Sequence, residues 1–298
     1  MDRRRFILAA AALAAGCTRD GSGSSAAPDT AQDPGGSTQA SGEGWSPHPA
    51  GVRPLGLQLY TVRNLMAEDV AATLALVAEA GYGEVEFAGY FEHPPAEIRR
   101  MLDDAGLAAP SAHIPYEQFA AGVDAVIEEA RAIGHQFVVV PWIDEQRRTL
   151  DDWRKHAENF NRWGEACAAA GLRFAYHNHS FEFAKTDGQI PYDLLLAETD
   201  PEQVLMELDL CWARGGNADP VAYFERWPGR FPLCHIKDYR DGADVNVGDG
   251  DVDFARAFAH AGTAGLEHGF VERDNPTDAR AAIRQNFAAI TPLWNEHL

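Results

Sequence analysis

The sequence predicts an α/β chain folded as a (β/α)8 TIM barrel, preceded by a signal peptide and a flexible linker. Three observations carry this reading. Short apolar runs alternate with segments of helical period from Leu55 to Trp294, as parallel strands joined by helical crossovers do. Eight such repeats fit within residues 51–298, and a barrel of this kind takes ~250 residues as one unit. Four runs in the second half deliver His177, Asp209, His235 and Glu272 at steps of 32, 26 and 37 residues, each about one strand–helix unit.

The first segment differs in kind from the rest. Met1–Arg5 is a short basic head, followed by the apolar run Phe6–Ala15 and by Gly16-Cys17. Residues 1–17 therefore read as an export signal, too short to span a membrane. Arg3–Ile7 resembles a twin-arginine signal, which serves proteins exported already folded. Leu13–Cys17 resembles a lipoprotein processing site with Cys17 as the lipidated N-terminus, although Ala14 stands where leucine is usual. Cleavage without lipidation stays open. The expected location is periplasmic, with membrane contact only through a lipid anchor at Cys17. Residues 18–50 are rich in Gly, Ser, Ala, Pro and Thr and cannot offset their ordering entropy, so they read as a linker.

Within residues 51–298 the expected strands are Leu55–Tyr60, Gly83–Ala88, Ala108–His113, Phe137–Trp142, Phe174–His179, Leu205–Asp209, Leu233–Asp238 and Phe270–Asp274. Helical period marks Asp69–Glu79, then Pro95–Ala105 stopped by Gly106, and Phe119–Ile133 closed by Gly134. It returns over Asp151–Ala170, Pro191–Glu198, Pro220–Arg226, Val252–Ala261 and Pro276–Trp294. An open doubly wound sheet is the structural rival. It is disfavoured because no Gly-rich loop follows the first strand, and Gly248-Asp249-Gly250 is too short to serve as one.

The formal charge of −20 argues against nucleic acid and polyanionic substrates as partners. Residues 1–17 hold three Arg against one Asp, a net of +2, so the remainder carries −22. Cys167, Cys211 and Cys234 lack CxxC spacing and read as small buried thiols.

In a barrel the carboxyl ends of the strands carry function, and all four ligand candidates lie there. His177 and His179 leave their strand on one face. Two imidazoles with two carboxylates suit Mn, Co, Fe or Zn at an open site, whereas Mg and Ca prefer oxygen alone. Glu86 and His113 are further candidates for the pocket wall, equally readable as structural rim residues; Trp142 and Trp212 offer ring faces for stacking, with core packing the favoured reading. Arg240 reads as a solvated loop residue.

Five stretches carry a family resemblance over most of residues 52–298: Gly56–Arg63, Tyr176–Phe183, Glu207–Trp212, His235–Asp238 and Val271–Asp274. The chain resembles the sugar phosphate isomerase/epimerase group of the xylose isomerase-like TIM barrels. That resemblance implies one divalent cation held by a carboxylate from strand five, Asp209, His235 and Glu272. Strand five departs from the pattern, because His177-Asn178-His179 stands where dehydratase-like relatives have Glu-x-His. Either His177 replaces the missing carboxylate or Glu182 folds back to supply it; the expected ligand is His177. Trp212 stands where relatives with several zinc ions place another His, which argues against a multinuclear site.

The implied chemistry is proton abstraction next to the carbonyl of a sugar or keto-sugar, with the cation steadying the negative charge that develops. His179 is the expected base, by its ordinary pKa. Glu182 is the candidate second acid–base group. Lys237 either holds a substrate oxygen or the developing negative charge, or pairs with Asp209 or Glu207. Isomerisation or epimerisation is the first expectation. A 3-keto-glycoside lyase or hydratase on the same barrel is the alternative, as is a tethered sugar-binding lipoprotein without catalysis. Export and an acidic surface favour a neutral substrate over a phosphorylated one.

Overall fold

The computed structural model describes residues 53–298, so the signal and linker expected at 1–17 and 18–50 lie outside the described residues. The barrel strands are β1 (Gly56–Gln58), β2 (Glu84–Phe87), β3 (Ala108–His113), β4 (Phe137–Val140), β5 (Arg173–His177), β6 (Val204–Asp209) and β7 (Leu233–Ile236). A hairpin follows, β8 (Asp238–Arg240) and β9 (Ala243–Val245), and β10 (His268–Val271) is the eighth barrel strand. The sheet closes in the order β1-β10-β7-β6-β5-β4-β3-β2. Neighbouring strands are parallel throughout.

The alternation of side chains along each strand separates two cores. Val204, Met206 and Leu208 of β6 face the helices, as do Cys234 and Ile236 of β7 and Phe174 and Tyr176 of β5. Phe137, Val139, Ala175, Leu205, Leu233 and Phe270 form a second cluster inside the barrel. Two residues further along the same inward faces come His177, Glu207 and His235, all buried. The interior thus has an apolar floor and a polar upper half.

Helix boundaries follow local chemistry. Asp69 caps Val70–Glu79 by accepting from the Ala72 N–H at 2.9 Å. Thr149 and Asp152 form a reciprocal capping box at the start of Leu150–Ala169. The helix expected over Phe119–Ile133 is two, Tyr116–Ala121 and Val123–Ile133, with Gly122 between them in an extended conformation. Among the described residues no helix is long and apolar enough to cross a membrane.

The β8–β9 hairpin and the loop after it are organised around one carboxylate. Asp238, 1% exposed, accepts from the backbone N–H groups of Tyr239 at 2.9 Å, Gly248 at 2.9 Å, Gly250 at 3.0 Å and Val252 at 3.0 Å. A Cβ on Gly250 would collide with this carboxylate. Asp244 of β9 accepts from Arg273 and from the Asp274 N–H, tying the hairpin to the end of β10.

Asp238→Ala leaves several backbone donors without their charged acceptor, so a loss of about 3 kcal/mol or more is expected by urea denaturation; Gly250→Ala is expected to act in the same direction. A second test concerns His135, whose imidazole is buried between the Ala109 carbonyl at 2.7 Å and the Tyr90 hydroxyl at 3.1 Å. Burial pulls its pKa from 6.5 to about 4. Between those values the unfolded chain binds the extra proton, so stability falls as the pH drops through this window, by up to about 3 kcal/mol. His135→Gln is expected to flatten that limb, measured as the difference in stability between pH 7 and pH 5; an unchanged slope would assign it elsewhere.

Candidate metal centre

The inward faces of β5, β6 and β7 bring the titratable side chains together in two tiers. Register pairs His177 with Glu207 and Asp209 with His235. Because faces alternate with period two, Glu207 lies one tier below Asp209, and Lys237 one tier above His235.

The upper tier contains Asp209, Glu272, Lys237 and Asp274. One ligand atom each from Asp209, His235 and Glu272 lies within 4.8 Å of the others. His235 Nδ1 is 3.0 Å from Glu272 Oε2 and 3.8 Å from Asp209 Oδ2. Asp209 Oδ1 caps the short helix Leu210–Gly215 by accepting from the Trp212 N–H at 2.8 Å. Its Oδ2 is buried without a partner. An unpaired carboxylate oxygen beside an imidazole nitrogen and a second carboxylate fits a divalent cation in donor type and convergence. Lys237, 1% exposed, donates to Glu272 at 2.9 Å and to Asp274 at 2.5 Å and lies 3.8 Å from Asp209. Its ammonium sits 4.9 Å from the centre of the Trp212 ring.

Burial and charge oppose one another here. Burial pulls the Lys237 pKa down, but Glu272, Asp209 and Asp274 outweigh it and hold the ammonium well above its usual range. Burial likewise pushes Glu272 up, and the neighbouring Lys237 and His235 reverse that to well below the carboxylate range. For Asp209 burial prevails over the pull of Lys237 and His235, and its pKa rises to about 7.

The lower tier contains Glu86, His113, His177 and Glu207, with His235 reaching down into it. His113 Nε2 lies 2.6 Å from Glu207 Oε2, and His235 Nε2 lies 2.8 Å from Glu86 Oε2. His177, the expected fourth ligand, belongs to this tier. Its Nδ1 lies 3.3 Å from Glu207 and is not part of the Asp209–His235–Glu272 group. Burial, then the neighbouring His235, pulls its pKa to about 3.

The two acid–base candidates have different surroundings. His179 follows β5 and meets the rings of Trp142 edge-on at 4.6 Å and Trp212 stacked at 5.9 Å. Burial, with His177 and Lys237 beside it, holds its imidazole neutral, well below the usual range. Trp142 remains 40% exposed, open to the barrel mouth. Glu182 is fully buried in the turn Phe181–Phe183. It accepts from the Tyr176 hydroxyl at 2.6 Å and from the His179 N–H at 2.8 Å. Burial raises its pKa to about 7. Both its oxygens hold the turn that carries His179, so it lies in the wall and supplies no ligand to the upper tier.

Sequence reasoning named Glu207 only as an ion-pair partner for Lys237 and passed over Asp274. The signal was available, since each is two residues from a ligand candidate and shares its face. Glu86 and His113 join the lower tier, and Arg240 is exposed.

The family model described as xylose isomerase-like TIM barrel matches residues 74–296. A solved structure of a sugar phosphate isomerase/epimerase from Parabacteroides distasonis is 28% identical, with a TM-score of 0.71 over 83% of this chain and 97% of that one. An inosose dehydratase from Lacticaseibacillus casei is 26% identical over 182 residues, 54% of this chain. The match spans 60% of that relative's length. An inosose dehydratase from Geobacillus kaustophilus is 25% identical over 228 residues, 62% of this chain and 73% of that relative.

Lys237→Met removes the ammonium from among three carboxylates. In metal-free protein at pH 7 a loss of about 3–5 kcal/mol is expected in equilibrium unfolding, because uncompensated buried charge is left behind. Lys237→Arg, which keeps the charge, is expected to lose less.

Proposed function

This chain belongs to the xylose isomerase-like TIM barrel family, and we propose that it is a divalent-metal-dependent sugar isomerase or epimerase that removes a proton next to a carbonyl. The convergence of Asp209, His235 and Glu272 at the carboxyl ends of β6, β7 and β10, with His179 beside them, carries this reading. Asp209, His235 and Glu272 would hold the ion, which would supply Lewis acidity to the substrate carbonyl. Their donor set suits Mn, Co, Fe or Zn.

In this reading His179 takes the proton at one of its ring nitrogens. A group that is neutral at pH 7 is available for that without first losing a proton. Glu182 acts through His179, fixing the turn by its bond to the His179 N–H. Lys237 keeps Glu272 ionised and lies within reach of a developing negative charge beside the ion. Trp142 and Trp212 flank His179 with ring faces suited to a sugar. A neutral sugar or keto-sugar is the substrate class. The export and lipid anchor read at residues 1–17 belong to the same proposal.

The relatives named inosose dehydratase favour a second outcome, in which the same proton loss leads to expulsion of a hydroxyl; on a 3-keto-glycoside the same step would expel the glycosidic oxygen. Deuterium wash-in from D2O separates these outcomes across a panel of keto-sugars and 3-keto-glycosides. An isomerase or epimerase returns label in recovered sugar, and a lyase yields an unsaturated product. His179→Asn is expected to slow exchange by about 100-fold or more, and chelation to abolish it. Metal-replete, folded protein that exchanges no member of the panel would refute the reading and leave a binding role.

A further inference from the structure

We propose that the lower tier is a second, nitrogen-rich cation site, formed by His113 Nε2, His177 Nδ1, Glu207 Oε2 and His235 Nε2. One ligand atom from each of these four residues lies within 4.8 Å of the others, and the three named nitrogens all lie within 3.3 Å of Glu207 Oε2. They come from β3, β5, β6 and β7, four strands whose inward faces meet above the apolar floor. The site is distinct from the rim group, because His235 turns Nδ1 to Glu272 and Nε2 to Glu86 and Glu207.

Three observations point to an ion rather than a closed hydrogen-bonded network. The first is orphaned atoms: Glu207 Oε1 is buried without a hydrogen-bond partner, and His177 Nδ1 has only the Glu207 carboxylate at 3.3 Å, without hydrogen-bonding geometry. His177 is 3% exposed and Glu207 0%, so water from bulk does not relieve them. Leaving such groups unpaired costs about 1–3 kcal/mol each.

The second is crowding on one oxygen. Glu207 Oε2 is approached by His113 Nε2 at 2.6 Å, His177 Nδ1 at 3.3 Å and His235 Nε2 at 3.3 Å. Hydrogen bonding does not need three imidazoles on one oxygen while its twin goes without. Tetrahedral bonds of about 2.0–2.1 Å set neighbouring ligand atoms about 3.3 Å apart, as two of these separations are.

The third is charge. Glu86 and Glu207 are fully buried, and their ion-pair partners are all histidines. A divalent cation compensates both carboxylates without protonating the rings. Glu86 flanks the site at 2.8 Å from His235 Nε2 and 3.3 Å from His113 Nε2. Gln58 and Ser111 hold it there by donating to it at 2.7 Å and 2.6 Å. Such outer partners orient ligands in metal sites. Three imidazoles and one carboxylate suit Zn, Co or Fe(II) and exclude Mg and Ca.

Titration of metal-stripped full-length protein with Co2+ tests this, followed by visible absorption and by equilibrium dialysis. Four-coordinate Co2+ absorbs far more strongly than six-coordinate Co2+, so the readout needs no substrate. The rim double variant Asp209→Asn/Glu272→Gln is expected to keep the intense band and about one bound equivalent. Glu207→Gln and His113→Asn are expected to weaken that binding by about 100-fold or more, beyond the loss typical of outer partners. Circular dichroism verifies that each variant is folded, and His113→Asn, at the edge of the cluster, serves if Glu207→Gln is not. A wild-type protein without the intense band overturns the proposal. So does a band lost in the rim variant and retained in both lower-tier variants, an outcome that leaves the rim site standing alone. Loss in the lower-tier variants only, with no second equivalent in the wild type, supports the lower site and counts against the rim reading.

Discussion

Burying Glu86, Glu207, Asp209 and Glu272 inside one barrel is the constraint on which the rest of the structure turns. Ionised carboxylates removed from water are tolerated only beside compensating charge or donors. Below them the apolar floor of Phe137, Leu205, Leu233 and Phe270 offers none. Compensation must come from the same tiers: Lys237 supplies it at the rim, and His113 and His235 are the side chains that face the lower pair. Lys237 is among the largest fully buried side chains for this reason. Its three carboxylate neighbours outweigh the cost of burying it.

The tiers share one pivot. His235 is fully buried and touches carboxylates through both ring nitrogens, so its orientation couples the rim to the layer beneath. Around that pivot the loops are held by single buried acids. Asp238 gathers the N–H groups of the loop after β7, and Glu182 accepts from the His179 N–H and the Tyr176 hydroxyl to fix the turn after β5. Each is a carboxylate that works on backbone geometry, leaving the reacting space to its neighbours.

A shared barrel does not by itself select a reaction. The relatives divide between isomerase/epimerase and dehydratase names, and the reading proposed for this chain begins with a proton loss common to both. What distinguishes the outcomes is the shape of the mouth around His179, Trp142 and Trp212 and the fate of the charge left after that proton departs.

The barrel was legible from composition and period alone, because eight inward–outward alternations leave few other ways to bury these strands. Asp209, His235 and Glu272 were legible too, as polar residues ending apolar runs one repeat apart. Period two also placed Glu207 and Asp274 on the inner face, a signal that the emphasis on strand ends obscured. Strand stagger was hidden in the sequence. Register sets His177 opposite Glu207 and leaves Asp209 opposite His235, so only the tertiary structure decided that His177 joins the lower tier. The hairpin β8–β9 was likewise invisible, because its strands of three residues each carry no period and owe their shape to Asp238, Arg273 and Asp274. Local pattern determined which side chains face inward; the closure of the barrel decided which of them meet.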